Sequence, residues 1–439
     1  MRLNTSALPI SWKKHSTYPE LKNNIHVAVV GAGIVGVSCA LWLQNKGFNV
    51  TLIDENDPGS GTTSGSACTI ATYACIPVND PVILNQPTRF IFQQDSPVRI
   101  DPWHLLSHLP WILSFLKNCK KSKVDLITRH LASLLNATNE GFIPLVKQTD
   151  AGGLLADTGF LNLFETQAEF EDDLPKQQIR AEFGAKFRDL NTSEIQEIEP
   201  ALKLKFHRGL LYEDITHIKH PQKLVKKYFD HFLASGGQHI HEMAQGVIHT
   251  EDGMKIFMRS RKFLRANRLL ICAGAHSTKI EGCDVERIPL GTERGYHIQY
   301  SGNENLIERP ISWNRYAVYA VPLDMGLRIA GTVEIDGLNK PKNPERIAFM
   351  ENKAKQMFGL NEQPDSDWLG FRPTLPDALP VIGASIKSPN TFYAFGHQHL
   401  GLTLAGITGK LVSEIVAGEK PSIDIEPFSA DRFKQQSVW

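Results

Sequence analysis

Three glycines, Gly31, Gly33 and Gly36, and one acid, Asp54, are the residues whose types and spacing point most directly to chemistry. They lie in "HVAVVGAGIVGVSCALWLQNKGFNVTLIDE", residues 26–55. Glycines at a strand-to-helix turn permit a tight turn, let a pyrophosphate approach bare backbone N–H groups, and let helix and strand pack closely. The helix N-terminus beyond them offers the positive end of a dipole to the same anion. Asp54, 18 residues past Gly36, is placed to accept hydrogen bonds from ribose hydroxyls. An acid there disfavours the 2′-phosphate of NADP, which leaves FAD and NAD.

That chemistry needs a βαβ unit, and the pattern supplies one. Val27 to Val30 and Val50 to Ile53 are short, β-branched runs bounded by glycine or an acid, as in buried parallel strands. Between them, Ile34 to Lys46 carries apolar residues at helical spacing and stops at Gly47. The following stretch "DPGSGTTSGSACTI", residues 57–70, is a loop rich in glycine and hydroxyls that can donate several hydrogen bonds to a phosphate.

Further along, residues 100–150 are helical in pattern and interrupt the α/β rhythm, and a helix is predicted from Pro221 to Gly237. Strands then flank a hairpin-type turn at "EDG", Glu251 to Gly253, and lead to "RLLICAGAHS", an apolar strand that breaks into small residues. "GYHIQY", "RYAVYAVP" and "GLRIAGTVEI" alternate with period two and predict an antiparallel sheet. Phe392 to Phe395, followed by glycines and a helix, repeats the opening logic of a backbone-rich turn at a helix N-terminus. No internal repeat is present.

Composition excludes several classes. The 439 residues carry 47 basic and 47 acidic side chains, so no global charge favours nucleic acid. The six cysteines form no C-x-x-C pair and suit buried free thiols, which fits a reducing compartment. No histidine cluster has convincing metal spacing. The first 24 residues lack a continuous apolar core and read as a surface arm. No run approaches the roughly 20 apolar residues of a membrane span. Residues 103–123, "WHLLSHLPWILSFLKNCKKSK", join aromatics to four lysines; a helix packed in the core with a basic end is expected, with an interfacial anchor as the alternative. The expected location is therefore cytoplasmic, with a peripheral place at the inner face of the cell membrane as the other option.

Together the glycine triplet with Asp54, "GTTSG", "ICAGAHS", "GFRPTLPDALPVIG" and "GHQHLGLTLAG", in this order, resemble the D-amino-acid oxidase superfamily of flavoproteins over nearly the whole chain after residue 24. Bacterial D-amino-acid dehydrogenase-like enzymes are the nearest in look. The resemblance implies an α/β fold: a Rossmann-like FAD-binding domain (24–80, 185–285 and 372–439) and a substrate domain on an antiparallel sheet with helices (81–184 and 286–371). It implies FAD held by Gly31, Gly33, Gly36 and Asp54 at the ADP half. Thr63 and Ser64 would lie near the pyrophosphate and flavin, and Val247, Ala273 and Gly274 would line the cofactor. Gly396, His397, His399, Leu400, Gly401 and Leu402 belong to the turn that would face the flavin's pyrimidine end. Gln398 and His399 depart from the related dehydrogenases, which leaves the substrate open.

The implied reaction oxidises the Cα–N bond of a small amino acid, a D-amino acid or cyclic imino acid, with hydride passing to flavin N5 and an imine as product. It needs no general base, and none is obvious. Tyr296, His297, Tyr316 and Tyr319 lie in the predicted substrate sheet and are candidates for the pocket. In the resembled family the arginine of "GFRPTLPDALPVIG" binds the substrate carboxylate, which here is Arg372. Pro373 and Pro376 stiffen its mounting, and a guanidinium fork matches a carboxylate with two parallel bonds. A salt bridge to Asp377 is the competing use. The electron acceptor stays open among oxygen, a quinone and another flavoprotein. An NAD-dependent dehydrogenase, or a flavin-holding subunit of a larger complex, are the alternative functions.

Overall fold

The computed structural model describes residues 16–17, 25–85, 98–100, 108–388 and 390–433. The surface arm expected of the first 24 residues lies outside them, apart from Ser16–Thr17, which pairs in parallel with Lys262 and Phe263.

The two β-branched runs form adjacent parallel strands, His26–Val30 and Asn49–Asp54, joined by the helix Ile34–Asn45. Gly47 ends that helix with φ +85°, a conformation glycine adopts at little cost. The sheet around them has six strands in the order Gln238–His241, Asn49–Asp54, His26–Val30, Arg268–Ile271, Thr391–Phe395, Val381–Ala384. Only the last pairing is antiparallel. Three distant stretches of the chain thus complete one Rossmann-like sheet.

The second large sheet has nine strands and is mixed rather than purely antiparallel. Its run is Ser366–Thr374, Gly291–Tyr300, Gly326–Ile335, Val318–Leu323, Ile311–Trp313, Phe160–Phe164, Arg208–Tyr212, Arg188–Asn191, with Val98–Ile100 beside Gly326–Ile335. Two pairings are parallel: Ile311–Trp313 with Phe160–Phe164, and Val98–Ile100 with Gly326–Ile335. These strands come from separate parts of the chain and close by long connections instead of hairpins.

Sheet membership departs from the expected domain limits at three places. Arg188–Asn191 and Arg208–Tyr212 join the mixed sheet through Phe160–Phe164, although 185–285 was assigned to the dinucleotide side. The helices Lys121–Asn136 and Thr138–Gln148 share the apolar core of the parallel sheet, although 81–184 was assigned to the substrate side. A Cβ on Gly141 would lie 2.2 Å from the backbone of Gly406, so paired glycines let Thr138–Gln148 cross Gly401–Ala417 backbone to backbone. Arg372 stands on Ser366–Thr374 inside the mixed sheet, so a domain limit does not fall at 372.

The helix Leu109–Asn118 is no core helix: Ser114 is its single buried residue, while Leu109 and Leu113 are about half exposed. Residues 103–107 of that motif lie outside the described residues. Conversely, Gln398–Ala417 is one helical stretch long and apolar enough to cross a membrane, which scanning for an unbroken apolar run overlooks because glycines and threonines dilute it. It is mostly buried and forms the centre of the main core. All six cysteines are free and buried.

Candidate active site

The two sheets face each other across a cavity of about 980 Å³, at the upper end of the range for small-molecule sites. Its first end is the βαβ crossover. Gly31 has φ +107°, and a Cβ there would lie 2.4 Å from the Cys272 carbonyl, so only glycine fits. A Cβ on Gly33 would meet nothing nearer than the Thr63 hydroxyl at 3.7 Å; the space beyond it is the cavity. The Ile34 N–H, first of its helix, donates to the Thr63 hydroxyl at 3.2 Å. Asp54 accepts from the Ala32 N–H at 2.8 Å and the Asn56 N–H at 2.9 Å, keeping its remaining lone pairs for a ligand.

The middle of the cavity is bounded by Ala273 and Gly274 after the strand Arg268–Ile271 and by the turn from Gly396 to Leu402. Gln398 holds φ +50°, and its buried side-chain nitrogen has no hydrogen-bond partner among the described residues. A buried amide donor left unpaired is costly, and here it borders the cavity. His397 is buried and bonded through Nε2 to the Thr408 hydroxyl at 2.9 Å. Burial lowers its pKa to about 4. His399 is exposed on the cavity wall, where loss of water to the protein packed around it first, and then the Arg372 charge, lower its pKa to about 4.

The far end is the mixed sheet. Arg372 sits opposite Glu293 and donates through Nη1 to the Thr332 carbonyl at 3.2 Å. Thr332 has φ +56°, a strained position for a threonine, beside a register shift between Arg294 and Tyr296. Glu293 is buried, and burial raises its pKa, opposed by the Arg372 charge and the Thr374 hydroxyl. Burial lowers the Arg372 pKa, with Glu293 countering. Asp377 is not its partner: that carboxylate pairs with Arg432 at 2.6 Å.

Of the residues singled out in the sequence, Gly31, Gly33, Asp54, Thr63, Ala273, Gly274, Gly396, His397, His399, Gly401, Leu402, Tyr296, Tyr319 and Arg372 border this cavity. Five others do not. Gly36 lies behind the wall, where a Cβ would strike the Gly31 carbonyl at 1.8 Å. The Ser64 hydroxyl turns back to the Ser60 and Gly61 carbonyls. Val247 bonds through its N–H to the Glu281 carbonyl, and the cavity meets the start of its strand at Glu242, Met243 and Ala244. Leu400 is in the core. His297 stacks on Trp368 at 5.1 Å, and burial and then the Arg328 charge lower its pKa to about 3.

Tyr296 borders the cavity, yet its side chain belongs to the core on the other face of its sheet. Its hydroxyl donates to Glu334 at 2.5 Å and accepts from Arg294 and the Asn343 N–H. Tyr316 packs against Trp313 and Phe349 instead of the cavity. Of the four tyrosine and histidine candidates for the substrate pocket, Tyr296 and Tyr319 border the cavity, and the Tyr319 ring stacks on Phe160. Sequence reasoning missed Tyr73, Arg180, Glu293 and Trp368, which all border the cavity. For Trp368 a signal existed: Gly65 and Gly370 would each place a Cβ within 2.1 Å of its ring, so two glycines mark the slot of one indole.

The model of the FAD dependent oxidoreductase (DAO) family matches residues 26–415. The chain belongs to that family. The enzyme is thus an FAD-dependent oxidoreductase of the amino-acid oxidase and dehydrogenase group, and NAD falls away as the redox partner. It is 30% identical to a D-amino-acid oxidase of Bradyrhizobium diazoefficiens over 423 residues, 93% of this chain and 99% of that one. Its fold is similar to glycine oxidase from Geobacillus kaustophilus, with TM-score 0.70, 18% identity and coverage of 94% and 100% of the two chains. It is also similar to L-proline dehydrogenase from P. horikoshii, with TM-score 0.71, 16% identity and coverage of 95% and 100%. Among the described residues of the enzyme, no group of acids, histidines and cysteines could hold a metal.

Proposed function

We propose that the enzyme oxidises the Cα–N bond of a small amino or imino acid to the imine, and that Arg372 holds the substrate carboxylate. The observation that carries this is the mounting of Arg372: a guanidinium on the cavity wall, fixed by the Thr332 carbonyl and left without an ion pair to Asp377. The cavity suits FAD. The glycine turn with Asp54 matches an ADP half, and the unpaired Gln398 amide and the turn from Gly396 to Leu402 offer donors to the other end. FAD bound there supplies the two-electron acceptor for the hydride leaving Cα.

The protein's own part is orientation. Arg372 makes parallel charge-assisted bonds to the carboxylate, which fixes the α-carbon. His397 and His399, both lowered to about 4, stay neutral near pH 7 and do not repel a cationic substrate amine. Relatives acting on D-amino acids, glycine and proline, by their names, support the substrate class. The acceptor that takes the electrons onward is oxygen, a quinone or another flavoprotein.

Anaerobic mixing with a panel of amino acids tests this by bleaching of the flavin. Arg372→Ala should retain flavin and lose at least about thirtyfold in amino-acid affinity, a loss on the order of 2–5 kcal/mol. Arg372→Lys should recover part, because a point charge cannot reproduce the fork. Normal binding and bleaching in Arg372→Ala would move the carboxylate site elsewhere.

A further inference from the structure

The cavity does not end at Arg372. A second guanidinium, Arg180 of the helix Gln167–Glu182, borders it beside two phenols, Tyr73 and Tyr319. Arg180 is largely buried, its side chain 16% exposed, and Asp173 behind it fixes one edge through Nη1 at 3.0 Å. Tyr319 lies within reach of the charges of both Arg372 and Arg180, and all three border the cavity. Tyr73 stacks on Phe160 at 5.0 Å and packs against Tyr212 at 4.6 Å, which holds its ring rigidly. Among the described residues neither the Tyr73 nor the Tyr319 hydroxyl has a hydrogen-bond partner, and both residues border the cavity.

We propose that Arg180, Tyr73 and Tyr319 form a side-chain subsite for an oxygen acceptor at the far end of the substrate, a carboxylate, carboxamide or hydroxyl. The inference rests on the reading that Arg372 takes the α-carboxylate. With that end fixed, the rest of the substrate extends past Tyr319, where the available protein groups are donors: two phenolic O–H groups and the guanidinium N–H groups that Asp173 leaves over. A purely aliphatic end would strip water from these donors and return nothing, which is the arrangement that discriminates strongly against an analogue lacking the polar atom. Asp173 already balances the Arg180 charge, so the subsite selects an acceptor oxygen and does not demand a negative one.

Non-reacting acids test this without relying on turnover. In the holoenzyme, flavin absorbance is titrated with pentanoate, which has only the α-end, with glutarate, which adds a terminal carboxylate, and with glutaramate, which adds a carboxamide. Glutarate and glutaramate should bind at least about tenfold more tightly than pentanoate. Arg180→Met should bring that ratio to near one while leaving pentanoate affinity unchanged, and Tyr73→Phe, the milder change, should lower it severalfold. Matched substrates should follow in bleaching, 4-hydroxyproline against proline and glutamate against norvaline. An equal affinity for pentanoate and glutarate in the wild type, or a ratio untouched by both variants, would overturn the subsite. Amino acids that bleach the flavin with no such preference would overturn it while leaving the proposed oxidation standing; bleaching by none would count against the oxidation itself.

Discussion

A Cβ placed on Gly295 would lie 2.6 Å from Cζ and Nη2 of Arg372, so the guanidinium rests directly on the bare backbone of the neighbouring strand. Gly295 pairs with Gly370 on the strand that carries Arg372. Gly295→Ala should therefore push the guanidinium off its seat. The expected result is a KM for amino acids raised about tenfold or more with flavin content unchanged, and a stability loss of about 1–3 kcal/mol from overpacking. Unaltered kinetics in Gly295→Ala would show that the arginine's position does not matter.

Gly33 and Gly36 should separate cofactor binding from folding. Gly33 has ordinary extended backbone and open space ahead of it, so Gly33→Val should fold yet purify colourless, because its side chain occupies the pyrophosphate path. Gly36→Val drives a side chain into the Gly31 carbonyl and should fail to fold even as apoprotein. Thermal unfolding of flavin-stripped samples checks the contrast.

The imidazoles give two pH predictions. His297 at about 3 and His397 and His399 at about 4 do not change charge above neutral pH, so the pH dependence of bleaching should follow the substrate amine and shift with its pKa. His399→Gln should keep the shape of that profile. The same burial bears on stability. The buried His297 and His397 bind protons less readily folded than unfolded, so their contribution is complete above the ordinary value of 6.5 and is lost as pH falls from there toward 4. Urea midpoints at pH 7 and pH 5 should show the loss, and replacing His397 by Gln should flatten it.

Glu293 faces Arg372, the proposed carboxylate anchor. Its burial raises the carboxyl pKa, so above that value a carboxylate competes with the substrate for Arg372, and below it the competition ends. Glu293→Gln should lower KM about threefold to tenfold at alkaline pH and change it little at acid pH, a difference read from steady-state kinetics.

The dinucleotide half was legible because its chemistry is backbone chemistry: Gly31 and Gly33 and the acid at Asp54 are fixed by local geometry within thirty residues. The stiff mounting of Arg372 on the cavity wall was legible for a similar reason, its prolines and glycine being neighbours in sequence. Arg180 and Tyr73 were not, since each is ordinary in its own segment and becomes informative only where Phe160–Phe164 and Arg208–Tyr212 bring the aromatic wall together. Where the Tyr296 and His297 side chains turn was not legible, because alternation in a strand fixes which side chains share a face without saying which face is the core. A register shift beside Tyr296 then altered the count.

The order of strands in the parallel sheet constrains how the enzyme is made. His26–Val30 lies between Asn49–Asp54 and Arg268–Ile271, and Thr391–Phe395 comes next, leading into the helix that fills the core. The strand beside the glycine turn follows it by more than two hundred residues along the chain, and the covering helix Gly401–Ala417 comes more than one hundred residues later still. The nascent N-terminal half therefore has no finished nucleotide cleft to offer. Flavin capture should therefore await the closing helix, and a chain truncated before Gly401 is expected to purify without flavin.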